Sequence, residues 1–323
     1  MLTVKVRLVI GVAGLAMVAI ACGLSIVGST DDVDVDPSGD GGPPRDGQLE
    51  ATDTPPPPPP PVDAFEAGVD ASPDNCKAAC DGGTCDGGWC VLGCDGGPAC
   101  SGSVTCPPGI PCEVQCTGRD ACKKGVDCGE ASACNVVCSG TASCSEEPVR
   151  CKGVACQVTC TAKDACIEGI DCDAGTCVLR CLANDTCKND DVTCHSDLCT
   201  VECGVAKANG KDTCMAGVTC EAKTSCDLRC QADNSCKSGT VTGTAGETVD
   251  ITCAGSNSCQ SRVTASAADS GVFCTAKGAC LNGVGCDGGQ CLTECKDADY
   301  RFCCDAGTCL LTEDKCKIDE RCN

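Results

Sequence analysis

The chain has 323 residues, a formal charge of −22, 43 cysteines and an aromatic content of 2%. One Trp, one Tyr and three Phe cannot furnish a conventional core at this length, and so acidic a balance excludes nucleic acid, whose phosphates need basic partners. Cysteine at this density marks a chain held by covalent staples in place of buried area, which belongs in an oxidising compartment outside the cytosol.

Lys5 and Arg7 precede an apolar run from Leu8 to Ile20 and then small residues, the layout of a secretory signal over residues 1–21. The run is too short for a membrane span. Ala19-Ile20-Ala21-Cys22 resembles a bacterial lipobox, with Ala where the family prefers Leu. The resemblance implies that Cys22 is diacylated and becomes the new amino terminus, so that the lipid is the chain's link to a membrane. Gly23 is unlike the Asp that retains some lipoproteins at the inner membrane, which favours outer-membrane placement. Setting Cys22 aside leaves 42 cysteines, an even number suited to full pairing. The other reading is a signal cut near this point with no lipid.

Residues 22–75 read as a disordered tether carrying the lipidated cysteine. From residue 24 it holds twelve acidic residues against Arg45 alone, and few apolar side chains with strong self-repulsion predict disorder. Pro55 to Pro61 predict a stiff polyproline II rod, about 3.1 Å per residue. The Asp31-to-Asp36 run lacks the glycine and terminal glutamate of an EF-hand, and a solvated spacer is the plainer reading.

From Cys76 the composition changes. Residues 76–84 read as an amino-terminal cap and 85–302 as a cysteine-rich repeat, clearest as V-x-C-x5-C-x-V-x-C-x5-C from Val126 to Cys144. The first cysteine of each unit falls at Cys85, Cys106, Cys128, Cys151, Cys172, Cys194 and Cys220, in steps of 21, 22, 23, 21, 22 and 26 residues. A period of this size means a stacked solenoid. The expected fold is all-β, a disulfide-rich β-solenoid of about ten coils of ~22 residues with cysteine-rich caps.

Stretches such as Cys112-Glu-Val114-Gln-Cys116 and Cys156-Gln-Val158-Thr-Cys160 alternate, which predicts short strands with Cys and Val on one face. A second strand ends at each first cysteine, as in Val104-Thr-Cys106 and Val192-Thr-Cys194. Turn segments rich in Gly, Ser, Asn and Asp lie between them. Cysteines thin out over 237–285, yet the template continues, with Gly243 and Val249 in the first two cysteine places and Ala265 following 22 residues later.

Those losses remove first and second cysteines together, which favours pairing first with second and third with fourth: Cys106 with Cys112, Cys116 with Cys122, Cys128 with Cys134, Cys138 with Cys144, Cys151 with Cys156 and Cys160 with Cys166. Bridging second to third is excluded, because an extended strand holds those Cα atoms about 13 Å apart. Bridges between equivalent cysteines of stacked coils stay open.

Loops such as Cys116-Thr-Gly-Arg-Asp-Ala-Cys122 and Cys253-Ala-Gly-Ser-Asn-Ser-Cys259 resemble the stapled C-x5-C turns of beetle antifreeze β-helices. The resemblance covers loop spacing and the adjoining strand, and implies a β-helical coil with an internal bridge of this spacing. Ice binding in that family needs a rank of Thr-Cys-Thr, and of the equivalent positions only Thr159-Cys160-Thr161 matches.

Residues 303–323, with Cys303, Cys304, Cys309, Cys316 and Cys322, read as a carboxy-terminal cap covering the last strand edge, or as a binding head. The ten-residue loop Gly204–Thr213, with Lys207 and Lys211, is a second candidate contact point. The single histidine, His195, sits at an expected turn with nothing to mark it as a catalytic base. No C-x2-C, the usual zinc spacing, occurs. No catalytic residue, metal or cofactor is expected. The expected role is a non-catalytic, lipid-anchored envelope protein with a structural or interaction function, whose partner is the membrane through its anchor and a surface protein or polysaccharide. The rivals are thiol-based metal binding or redox buffering, and an ice-binding or carbohydrate-acting β-helix.

Overall fold

Strict alternation over five residues, with apolar groups at every second position, gives one strand face to a core and the other to water. In the computed structural model this pattern winds into a parallel β-solenoid. The structure describes residues 76–77, 80, 82–96, 100–205 and 210–295, and beyond these the strands at 301–304, 308–311 and 317–318. Cys22, the tether, Lys207 and most of the carboxy-terminal cap lie outside the described residues.

The chain opens with an antiparallel pair, β1 (Thr84–Asp86) and β2 (Trp89–Cys94). Parallel coils follow, through β3 (Val104–Thr105), β4 (Cys112–Cys116), β5 (Val126–Asp127), β6 (Ala133–Cys138), β7 (Val149–Cys160), β8 (Ile170–Cys181), β9 (Val192–Cys203) and β10 (Val218–Cys230). The series continues with β11 (Val241–Ala245), β12 (Thr248–Cys253), β13 (Val263–Cys274) and β14 (Val284–Cys295), then β15 (Arg301–Cys304), β16 (Thr308–Leu311) and β17 (Lys317–Ile318). Nine full coils run from β3 to β14 among the described residues. The expected pair of short strands becomes one strand bent round a corner in β7 to β10, β13 and β14. It remains split between β3 and β4, where Pro107, Pro108 and Pro111 lack the N–H a ladder needs.

Register carries the sequence repeat through the stack, with a shift at the corner between β9 and β10. Val114, Val136, Val158, Leu179, Val201, Leu228, Ile251 and Val272 are successive partners and form one fully buried column. Val126, Val149, Ile170, Val192, Val218, Val241, Val263 and Val284 form a second. Each such side chain contributes about 1.5–3 kcal/mol by leaving water.

Eighteen disulfides join thirty-six cysteines among the described residues. Nine are the third-to-fourth bridges of successive coils, from Cys94–Cys100 through to Cys274–Cys280. Seven are first-to-second bridges. The remaining two correct the expected start of the repeat. Cys85 bonds Cys76 and Cys90 bonds Cys80, so Cys85 belongs to the cap and is not the first cysteine of a coil. β1 lies antiparallel to β2 and outside the parallel stack, whereas β2 itself stacks in parallel on β4, and the two bridges tie Cys76 and Cys80 to this hairpin. The amino-terminal cap therefore reaches Cys90, and the number of coils falls from ten to nine.

Six of the third-to-fourth stapled turns share one backbone shape. In each, the fourth residue and the closing cysteine both have positive φ: Asp120 and Cys122, Ala142 and Cys144, Asp164 and Cys166, Asp185 and Cys187, Asn234 and Cys236, Asn257 and Cys259. Asp and Asn tolerate this left-handed region better than other non-glycine residues, which explains their recurrence two places before the closing cysteine. Neighbouring turns are tied by backbone bonds, as from Cys144 N to the Ala121 carbonyl, Cys166 N to Ser143 and Cys236 N to Thr213.

Candidate functional site

The twelve cysteines whose pairing the spacing predicts are all accounted for, while Cys22 lies outside the described residues. Cys106–Cys112, Cys116–Cys122, Cys128–Cys134, Cys138–Cys144, Cys151–Cys156 and Cys160–Cys166 are bonded within their own coils. They are buried, and they line the core. Sulfurs of different coils approach closely: those of Cys106, Cys128 and Cys134 lie within 4.8 Å of one another, as do those of Cys151, Cys156 and Cys172. Thiolates in that arrangement would suit a soft metal, but every one of these sulfurs is held in a disulfide.

The surface feature with most chemistry lies at the corner between first and second cysteines. Here small residues stack: Gly153 over Ala174, and Ser196 over Ala222. Their lack of bulk opens a groove of about 570 Å³. One wall is the column Asp173, His195, Glu221 and Thr244, register partners on four successive coils. His195 Nε2 lies 3.4 Å from Glu221 Oε2. The other wall is the ion pair of Lys223 Nζ with Asp197 Oδ1 at 2.6 Å. That bond to Asp197 holds the Lys223 ammonium above its ordinary value.

His195 is therefore on a strand face and not in a turn, as its position beside Cys194 had implied. The signal that could have located the groove is a change of spacing. First and second cysteines are separated by five positions in the coils of Cys151, Cys172 and Cys194, and by six in that of Cys220. The extra residue produces a register shift between Ala222 and Ser225, a bulge that re-aims the wall residues. Three carboxylates against one lysine make the groove acidic and rich in hydrogen-bonding groups. The imidazole is paired with a carboxylate, an arrangement that can bind and orient polar groups.

On the second strand the outward charges largely satisfy one another. Arg180 Nε lies 3.5 Å from Glu202, and Arg229 bonds Asp227 through two nitrogens at 3.0 and 2.6 Å. Burial, with the Asp227 charge beside it, raises the Asp250 carboxyl above the usual range. A rank of threonines that spacing did not single out runs along the first strand, where Thr193, Thr219, Thr242 and Thr264 are successive partners. Thr159-Cys160-Thr161 stands alone on the second strand, between Val137-Cys138-Ser139 and Arg180-Cys181-Leu182.

No protein-family model, no curated protein and no solved structure matches the chain.

Proposed function

We propose that this chain is a lipid-anchored, extracytoplasmic bacterial protein that presents a stapled β-solenoid as an interaction surface or scaffold. The observation that carries the reading is the covalent one: eighteen disulfides among the described residues, sixteen of them in the repeat, suit an oxidising compartment and suit a surface that must persist outside the cell. The lipobox-like Ala19-Ile20-Ala21-Cys22 supplies the anchor at the outer membrane, and the acidic, proline-rich residues 24–75 supply reach. The role is non-catalytic. The partner is a surface protein or polysaccharide, and the corner groove with Asp173, His195, Asp197, Glu221 and Lys223 is its best-suited contact, since hydroxyls and amides pair well with carboxylates and an imidazole.

The test is metabolic labelling of cells expressing the full chain with an alkyne-bearing fatty acid, followed by membrane fractionation. Label on the protein that vanishes in Cys22→Ser, with release of that variant from the membrane fraction, is the expected result. A native chain that carries no lipid and fractionates as a soluble protein would sink the anchor and, with it, the presentation role.

A further inference from the structure

Two columns of disulfides run along the solenoid, and they differ. The first-to-second column is interrupted twice, at Gly243 with Val249 and at Ala265 with Ser270. The third-to-fourth column is unbroken through nine coils, from Cys94–Cys100 to Cys274–Cys280. Along part of this column the sulfurs of neighbouring bridges are close. Those of Cys116, Cys138 and Cys144 lie within 4.8 Å of one another. So do those of Cys138, Cys160 and Cys166, and those of Cys160, Cys181 and Cys187. Cys116, Cys138, Cys160 and Cys181 are also register partners, and the spacing of paired strands, about 4.8 Å, falls within the Cα range a disulfide spans. The spacing of the coils here is compatible with a bridge between them.

We propose that this column is a relay for thiol–disulfide exchange, carrying two-electron equivalents from one coil to the next. This goes beyond the anchoring and interaction role and does not depend on it. A reduced Cys116/Cys122 pair starts the step. The Cys116 thiolate attacks Cys138 Sγ, breaking the Cys138–Cys144 bond, forming Cys116–Cys138 and leaving Cys144 as thiolate. The Cys122 thiolate then attacks Cys116 Sγ, restoring Cys116–Cys122 and releasing Cys138. Two electrons and two protons have moved one coil along, and one disulfide has been broken for each one made. Equivalents enter at Cys94–Cys100. Cys100 is the only half-buried cysteine in this column among the described residues, Cys94 is the register partner of Cys116, and Cys122 N donates to the Cys100 carbonyl. The donor is an external dithiol, which is itself oxidised to a disulfide as Cys94–Cys100 opens. Burial of the interior sulfurs disfavours thiolate, so transfer is slow and speeds with rising pH.

The experiment is to treat the oxidised full chain with dithiothreitol well below one equivalent, quench at timed intervals with acid and N-ethylmaleimide, and map labelled and cross-linked peptides. Label is expected first at Cys94 and Cys100 and later at Cys138, Cys144, Cys160 and Cys166, with a Cys116–Cys138 cross-link as the trapped intermediate. Label that never leaves the cysteines of residues 76–100 would overturn the relay. So would a mixture of fully reduced and fully oxidised molecules, the mark of global opening. Cys122→Ser gives an independent readout, because the Cys116 thiol then lacks its own partner. A fraction with Cys116 bonded to Cys138 and Cys144 free is expected; a wholly free Cys116 beside an intact Cys138–Cys144 bridge would refute the exchange.

Discussion

Gly243 and Val249 occupy the places held one coil earlier by Cys220 and Cys226, and together they fill the volume of that disulfide. A Cβ on Gly243 would come within 2.7 Å of Val249 Cγ1, so the larger side chain is accommodated by the loss of the other. Both residues remain in register, and Val249 is fully buried. The first-to-second bridge is thus replaceable by packing.

Cys220→Gly with Cys226→Val, the same exchange made one coil earlier, should therefore keep the fold. Loss of the bridge alone costs about 2 kcal/mol for so short a loop. Cys220→Ser with Cys226→Ser should cost about 1–2 kcal/mol more than the Gly/Val pair, since it buries two hydroxyls of which only that at 226 has an acceptor in reach, the Thr244 carbonyl. Denaturant unfolding of the three proteins checks the order.

The stapled turns leave almost no room between coils. A Cβ on Gly140 would overlap the Gly118 carbonyl oxygen, a backbone atom that cannot yield alone. Gly140→Ala should destabilise by about 2–4 kcal/mol through this clash. Gly102→Ala, where a Cβ meets nothing within 4 Å, should stay within about 0.5 kcal/mol of the parent. Thermal unfolding of both variants separates packing from the general cost of losing a glycine.

Ala142 has φ of 57°, where the equivalent residues are Asp120, Asp164, Asp185, Asn234 and Asn257. An alanine gains nothing from the left-handed region, whereas Asn offsets its cost with local hydrogen bonds. Ala142→Asn should stabilise by about 0.5–1 kcal/mol, read as a raised denaturation midpoint at unchanged slope.

Next to it, Ser143 is fully buried and its hydroxyl has no hydrogen-bond partner, while Ala121 and Ala165 hold the same turn position on either side. Ser143→Ala should raise stability by about 1 kcal/mol, as it removes a desolvated hydroxyl and leaves the packing intact. A loss of stability would reveal a partner for that group.

Glu146 faces two lysines on the preceding coil, at 2.5 Å from Lys124 Nζ and 2.9 Å from Lys123 Nζ. Hydrogen bonds from Lys124 and then Lys123 lower its carboxyl from 4.5 to about 2. The folded value lies below the unfolded one, so its contribution is present in full above pH 4.5 and is lost as pH falls through about 2. The group is exposed, and salt screens its effect. A carboxyl chemical-shift titration should show the low midpoint, and Lys124→Ala should return it towards 4.5.

Much of this architecture is written in local spacing. The alternation of Cys112-Glu-Val114-Gln-Cys116, the 22-residue period and its persistence through Gly243 and Ala265 determine strands, coil length and inward faces, because each depends only on neighbours within one coil. The stack supplied what depends on contact between coils. Cys85 reads as a first cysteine by spacing, but an antiparallel hairpin carries it to Cys76. Cys116 is spaced for Cys122 and stacked on Cys138, and only the folded chain chooses between them. The groove beside His195 exists because Asp173 and Glu221, 22 residues before and 26 after it in sequence, are set one strand away on either side. Parallel stacking turns positions a full period apart into neighbours, and no reading within a single coil can tell which of them meet at a bulge.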